Sequence, residues 1–378
     1  MDLRKQSFYD CQAAAVHGVF LYCAPVKQQV HFLYHSYSIG NGVDGMLTGA
    51  AVRRISMTLL LFLMIFLLQG CGGFQKNAGK SLISENTGVG ESSEPTKKNG
   101  IRVALVMKTL TNPFFTEMEK GARKAESEFG INLLVRTGAQ ETSIEQQISI
   151  VEDLINSGID AIVIAPGHSV DLIPVLKKAQ DAGIAIVNID NRLDPVISKK
   201  MGLNQVPFIS VDNRQAAYEA VKYLCGTVSK PVKAAILEGI RGAENSEQRR
   251  QGAVKAFKEK PEIDLVTVET ANWKIDEAFE VTSRIIKKYP DIGVIYCEND
   301  MMALGALECL SKNNRTHILV GGYDALEEAR QAVEEGKLRV TVDQQAELQG
   351  YTGVSFAVKI LKKEKVPMET YIPFKLVN

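Results

Sequence analysis

The chain has 378 residues, about two to three times the length of a typical single-core domain, which predicts two domains plus tails. Hydrophobic residues at 45% and charged residues at 23% are ordinary for a globular chain and exclude wholesale disorder, collagen and a multi-span membrane protein. The 44 basic residues balance the 44 acidic ones, so there is no broad basic field for nucleic acid, and six cysteines are too few for a disulfide scaffold.

In chain order, the first distinctive segment is Met57 to Leu68, reading MTLLLFLMIFLL shortly after Arg53 and Arg54. It is too short to span a bilayer. A positive start, a short apolar run and small residues before a cut are the layout of a secretory signal. The run leads into Leu68-Gln69-Gly70-Cys71, which resembles a bacterial lipobox. That resemblance implies lipidation of Cys71 as the mature N-terminus, with Gln69 a less usual residue at its place. Met46 is the more plausible initiator, leaving 1–45 as an upstream extension. Its Cys11, Cys23, His17, His31 and His35 are too irregularly spaced for a zinc site. Residues 72–100 are polar and without apolar periodicity, a flexible tether of roughly 30 Å. Five basic and three acidic residues precede position 72, so the remainder carries a formal charge of about −2, which gives nothing to bind nucleic acid with.

From Ile101 onward, short apolar runs alternate with amphipathic stretches of helical length. This is the pattern of parallel strands joined by crossover helices. The first series has strands at 101–107, 132–136, 161–165, 185–189 and 208–211, with helices from Asn112-Pro113 and at 144–157, 172–182 and 214–225. The second has strands at 233–238, 265–269, 293–297 and 318–322, with helices near 249–258, 275–288, 301–312 and 326–335. Each series suffices for one doubly wound sheet. A strand at 340–342, a helix at 346–361 and a strand at 371–377 come after both and carry the chain back. The expected organisation is α/β: an N-terminal lobe of 101–211 plus 345–372 and a C-terminal lobe of 212–344 plus 373–378, joined by a multi-crossover hinge.

Ligands of open parallel sheets sit beyond the carboxyl ends of the strands. Those positions hold Lys108 and Asn112, then Asp190 and Asn191, then Asn299 and Asp300, then Asp324 and Gln344. Phe114, Phe115 and Trp273 supply flat faces for the C–H side of a sugar ring, while carboxylates, amides and Arg249 pair with its hydroxyls. Each residue also has a plainer reading. Asn112 is a natural N-cap ahead of Pro113, and one of the adjacent phenylalanines is expected to face the core. Asp190 and Asp324 suit turns, Lys108 suits an ion pair, and the single tryptophan suits a core anchor. Of Arg249 and Arg250, one is expected at the surface.

Five motifs in register over 101–378 make the pattern specific: Thr109-Leu110-Thr111-Asn112-Pro113-Phe114-Phe115, Asn188-Ile189-Asp190-Asn191-Arg192, Ser210-Val211-Asp212-Asn213, Glu298-Asn299-Asp300-Met301-Met302-Ala303-Leu304-Gly305 and Gly321-Gly322-Tyr323-Asp324. In these the chain resembles the periplasmic sugar-binding proteins of the ribose-binding group, the solute-binding parts of ABC importers. Lys108-Thr109-Leu110, Val187-Asn188-Ile189-Asp190 and Ile295-Tyr296-Cys297-Glu298-Asn299-Asp300 look most like the allose-binding type. The resemblance implies a periplasmic binding protein type I fold and a monosaccharide ligand. It implies hydroxyl ligands Lys108, Asn112, Asp190, Arg249, Asn299, Asp324 and Gln344, with Asn191 beside them, and ring walls Phe114, Phe115 and Trp273. Phe115 stands where the allose type tends to carry a larger aromatic, and Asn191 where it carries a charged residue.

No G-x-S-x-G, G-x-x-x-x-G-K-[ST], H-E-x-x-H or C-x-x-C motif is present, so no enzyme activity, cofactor or metal is expected. Cys225, Cys297 and Cys309 read as buried, and their odd number argues against a full set of bridges. The competing classes are a sugar-responsive repressor, which needs a helix-turn-helix where the signal and tether stand, and a glycosidase built on paired carboxylates. The expectation is a membrane-anchored, extracytoplasmic monomer that passes a sugar to an ABC permease or, on the same fold, reports it to a membrane histidine kinase or chemoreceptor.

Overall fold

The computed structural model describes residues 100–378. The upstream extension and signal of 1–71 with the lipidation reading at Cys71, and all of the tether but Gly100, lie outside the described residues.

The first series runs β1 (Arg102–Met107), α1 (Pro113–Phe129), β2 (Asn132–Thr137), α2 (Ile144–Ile155), β3 (Ala161–Ile164), α3 (Ile173–Asp181), β4 (Ala185–Ile189), α4 (Pro195–Lys200) and β5 (Phe208–Ser210). The second runs α5 (Asn213–Leu224), β6 (Val232–Glu238), α6 (Glu244–Lys258), β7 (Ile263–Thr270), α7 (Ile275–Lys288), β8 (Ile292–Cys297), α8 (Asp300–Lys312), β9 (Leu319–Gly321), α9 (Glu327–Glu334) and β10 (Thr341–Asp343). Last come α10 (Ala346–Leu361), β11 (Glu369–Tyr371) and β12 (Lys375–Val377).

Six parallel strands in the order β11-β5-β4-β3-β1-β2 form the sheet of the first lobe, and four in the order β7-β6-β8-β9 form that of the second. β10 pairs antiparallel with β12 and continues the second sheet through the Gly321–Val340 bridge. The central strands are buried on both faces, as helix-covered parallel sheets require. Alternation on β1 divides the core. Val103, Leu105 and Met107 face a cluster with Met118 and Ala122 of α1 and Val354 of α10. Ala104 and Val106 face one with Val151 of α2 and Leu176 of α3.

The chain passes between the sheets after β5, after β10 and between β11 and β12. The second passage lets α10 return to the first lobe, where it packs on α1, β3 and β4. Its approach to α1 is close enough that a Cβ on Gly350 would stand 2.0 Å from the Met118 carbonyl oxygen. The segment expected as one strand over 371–377 is two short strands in different sheets. Pro373 between them has no N–H to donate and interrupts the pairing.

Two helices depart from expectation. α4 was not anticipated; Asp194 caps it by accepting from the Ile197 N–H at 2.8 Å. α6 starts five residues before Arg249, after Ala243, which has no side-chain oxygen to announce a helix start. Cys225, Cys297 and Cys309 are buried free thiols.

Candidate functional site

The strand ends and helix starts of the two lobes meet around a narrow cavity. The first lobe contributes Lys108, Asn112, Phe114, Phe115, Glu141 and Asp190. The second contributes Asn245, Arg249, Trp273, Asn299 and Asp324, with Gln344 at the second passage. Eleven of the twelve are buried and the Asp324 side chain is 4% exposed, so the two lobes cover the site between them.

Lys108 leaves β1 with its Nζ 2.8 Å from Asp190 Oδ2 and 3.9 Å from Glu141 Oε2. The ammonium also lies 4.4 Å from the Trp273 ring centroid and 5.6 Å from that of Phe115. Asn112 serves two purposes. Its Oδ1 accepts from the Phe114 N–H at 3.1 Å, capping α1, while its Nδ2 donates to Glu141 Oε1 at 2.9 Å. Phe114 and Phe115 meet edge to face with centroids 5.1 Å apart, and both line the cavity. Burial raises the Glu141 carboxyl above its ordinary value, with the Lys108 ammonium opposing.

On the other side, Arg249 is held rigidly. Its Nε donates to Asn213 Oδ1 at 2.8 Å, Nη1 to the Glu298 carbonyl at 2.7 Å and Nη2 to Gln344 Oε1 at 3.0 Å. The guanidinium stacks 3.8 Å over the Tyr323 ring and stands 3.9 Å from Asp324 Oδ1. Arg250, by contrast, turns outward to Glu247. Gln344 donates through Nε2 to Asp324 Oδ1. Asn299 caps α8 by accepting from the Met302 N–H at 2.9 Å, and its Nδ2 points to the Trp273 carbonyl. Burial pushes Asp324 well above the carboxylate range, against the pull of Arg249.

Below this layer lies a brace of acids. Asp300 accepts from Thr341 Oγ1 at 2.7 Å and from the Leu326 N–H at 2.9 Å, fixing the loop that presents Asp324. Glu298 Oε2 accepts from Ser246 Oγ at 2.6 Å and from the Gly239 N–H at 2.7 Å, and burial pushes its carboxyl up to about 8.

Three lining residues sit at positive φ: Asp190 at 61°, Trp273 at 59° and Asp324 at 121°. Such backbone persists only where its surroundings hold it, and it gathers at binding sites. Asp190 is held by its own N–H, which donates to the Ile209 carbonyl, and by its carbonyl, which accepts from Ser210 Oγ at 2.8 Å.

Ten of the eleven residues expected as ligand contacts therefore line one cavity. Asn191 is the exception. The left-handed turn at Asp190 carries the next side chain behind the wall, where its Nδ2 donates to the Pro166 carbonyl at 3.1 Å. Its Oδ1 accepts from Ser169 Oγ at 3.4 Å and from the Asn245 N–H at 3.3 Å. Two lining residues were missed. Glu141 lies four residues past the end of β2, in a loop that reads as surface. Asn245 falls in the first turn of α6, which the sequence places in a loop. Asn245 Nδ2 donates across the cleft to Asp190 Oδ1 at 3.3 Å.

The arrangement suits a neutral polyol. Aromatic faces stand beside a belt of donors and acceptors of both charges. Among known proteins, the description of the periplasmic binding protein domain matches residues 103–365. A D-ribose/D-allose-binding protein of Pseudomonas aeruginosa is 39% identical over 265 residues, 69% of this chain and 82% of that protein. A D-allose-binding periplasmic protein of Escherichia coli is 34% identical over 278 residues, 73% of this chain and 89% of that protein. A solved ABC transporter periplasmic solute-binding protein from Actinobacillus succinogenes with bound D-allose is 35% identical, with a TM-score of 0.69 over 74% of this chain and 97% of that one.

Proposed function

The chain belongs to the periplasmic binding protein domain family, whose members are solute-binding transport proteins rather than enzymes, and from this we propose that it captures a monosaccharide of the allose or ribose kind outside the cytoplasm and delivers it to an ABC importer. The observation that carries the reading is the cavity between the lobes. Its charged and amide groups come from both sheets, and its walls are aromatic.

Capture follows from the geometry. In the open cleft each lobe offers half of a hydroxyl-binding belt to water. Closure around a sugar replaces that water with fixed partners, and the buried carboxyls of Glu141 and Asp324 accept from ring hydroxyls. Asp190 is held as an acceptor by Lys108, and Arg249 is held as a donor by its three carbonyl and amide contacts. A sugar hydroxyl left without a partner in such a site costs about 1–3 kcal/mol, so the belt reads stereochemistry. Lys108 donates and cannot accept, which favours a ligand oxygen with free lone pairs beside it, as in a pyranose. Phe114, Phe115 and Trp273 pack against the C–H faces. Anchoring through a lipid on Cys71 and a monomeric state complete the proposal; the lipobox-like Leu68-Gln69-Gly70-Cys71 supports the anchor.

The test is a calorimetric panel of D-allose, D-ribose, galactose, glucose, xylose and myo-inositol. Affinity tighter than millimolar for allose or ribose is expected. A folded protein that binds none of the panel refutes the monosaccharide reading.

A further inference from the structure

We propose that Ser169 and Asn191 are positioning residues that hold the ligand in without touching it: from the first lobe they cap the N-terminus of α6 in the second lobe, and this clasp slows sugar release. The inference rests on the proposed sugar capture and concerns what keeps the cleft shut.

The first-turn N–H groups of a helix have no intrahelical acceptor, and the residue just before the helix usually provides one. α6 cannot do this, because Ala243 has no polar side chain. The acceptors come instead from the opposite lobe. The Glu244 N–H donates to Ser169 Oγ at 2.9 Å, and the Asn245 N–H donates to Asn191 Oδ1 at 3.3 Å. Ser169 Oγ donates in turn to Asn191 Oδ1 at 3.4 Å, and the Ser169 N–H donates to the Gly242 carbonyl at 3.0 Å. The shapes match as well. Gly242 has φ +91°, and a Cβ there would stand 2.0 Å from His168 Nε2, so only glycine lets the two loops meet.

The clasp is joined to the site through one residue. Asn245, whose N–H is capped by Asn191, donates through Nδ2 to Asp190 Oδ1, and Asp190 holds Lys108. Closing the clasp thus sets the acceptor that faces the sugar. Opening leaves the α6 donors to water, and escape of the ligand requires that opening.

Loss of a cap acceptor weakens a helix terminus by an amount equivalent to about two- to thirtyfold in an equilibrium constant. That loss should fall on dissociation. The experiment is stopped-flow Trp273 fluorescence with D-allose on the detergent-solubilised full chain. Ser169→Ala and Asn191→Ala are expected to raise the dissociation rate about fivefold with association within a factor of two, and Ser169→Thr, which keeps the hydroxyl, restores retention. Unchanged dissociation in both alanine variants overturns the clasp and leaves sugar capture intact. A wild type that takes no sugar refutes capture instead. The clasp is then read by amide exchange in ligand-free protein, where Glu244 and Asn245 should exchange faster in the Ser169→Ala/Asn191→Ala double variant, and equal exchange overturns it.

Discussion

Asp190→Asn isolates charge from shape at the centre of the cavity. Asparagine tolerates the left-handed backbone that Asp190 adopts at φ 61°, so the turn and the Ser210 brace survive. The exchange removes the one carboxylate that, among the described residues, lies within hydrogen-bond reach of the Lys108 ammonium, 2.8 Å away. Lys108 is 2% exposed, and Glu141 at 3.9 Å compensates only in part. Breaking a buried pair from one side costs about 3–5 kcal/mol; with Glu141 and the Trp273 face still near, the lower end, about 3 kcal/mol, is expected in urea denaturation. Binding loses a fixed acceptor worth about 1–3 kcal/mol, or roughly five- to 150-fold in Kd by calorimetry. Removing both charges separates the two effects. Lys108→Met with Asp190→Asn should recover most of the stability and none of the affinity, because no ammonium is left unpaired and the Glu141 carboxyl, already raised by burial, takes up a proton when Lys108 is gone. A single variant with wild-type affinity, or a double variant as unstable as the single, refutes the reasoning.

Further outcomes follow from the same geometry. Trp273→Ala should weaken sugar binding about tenfold or more through lost ring contact, and wild-type fluorescence should shift on sugar addition; a silent tryptophan together with an unaffected Kd removes Trp273 from the site. Glu298 is raised to about 8 in the fold against 4.5 in the unfolded chain, so it is protonated in the native state at neutral pH. Its contribution is full below the unfolded value and is lost as pH rises through 8, a loss on the order of 5 kcal/mol for this fully buried group. Stability measured from pH 5 to 9 should therefore fall more steeply in wild type than in Glu298→Gln, and parallel curves contradict the assignment. Cys71→Ser should move the protein from the membrane fraction to the soluble one; an unchanged fraction and mass contradict lipidation.

The alternation of apolar runs with helical stretches carried most of the fold, because helix-covered parallel strands must be apolar on both faces and their connections must be helices. The strand-end polar residues carried most of the site, because that is where such sheets place ligands. What escaped had a tertiary cause. The start of α6 was invisible because its cap comes from another lobe, and Asn245 was hidden with it. Glu141 is buried only because Lys108 and Asn112 approach it from a distant strand end and helix start. Asn191 was placed in the cavity by its adjacency to Asp190, whereas the positive φ of Asp190 sends it behind the wall. Tyr371–Val377 read as one strand, since nothing in a short apolar run says that its halves pair with different sheets.

Small-angle X-ray scattering of the protein with and without saturating D-allose tests most directly whether two lobes close over a sugar held by groups from both. The radius of gyration should fall on addition of allose in wild type, and should fall in Asp190→Asn only at much higher sugar concentration. A radius that stays constant while calorimetry shows the site saturated contradicts capture by closure.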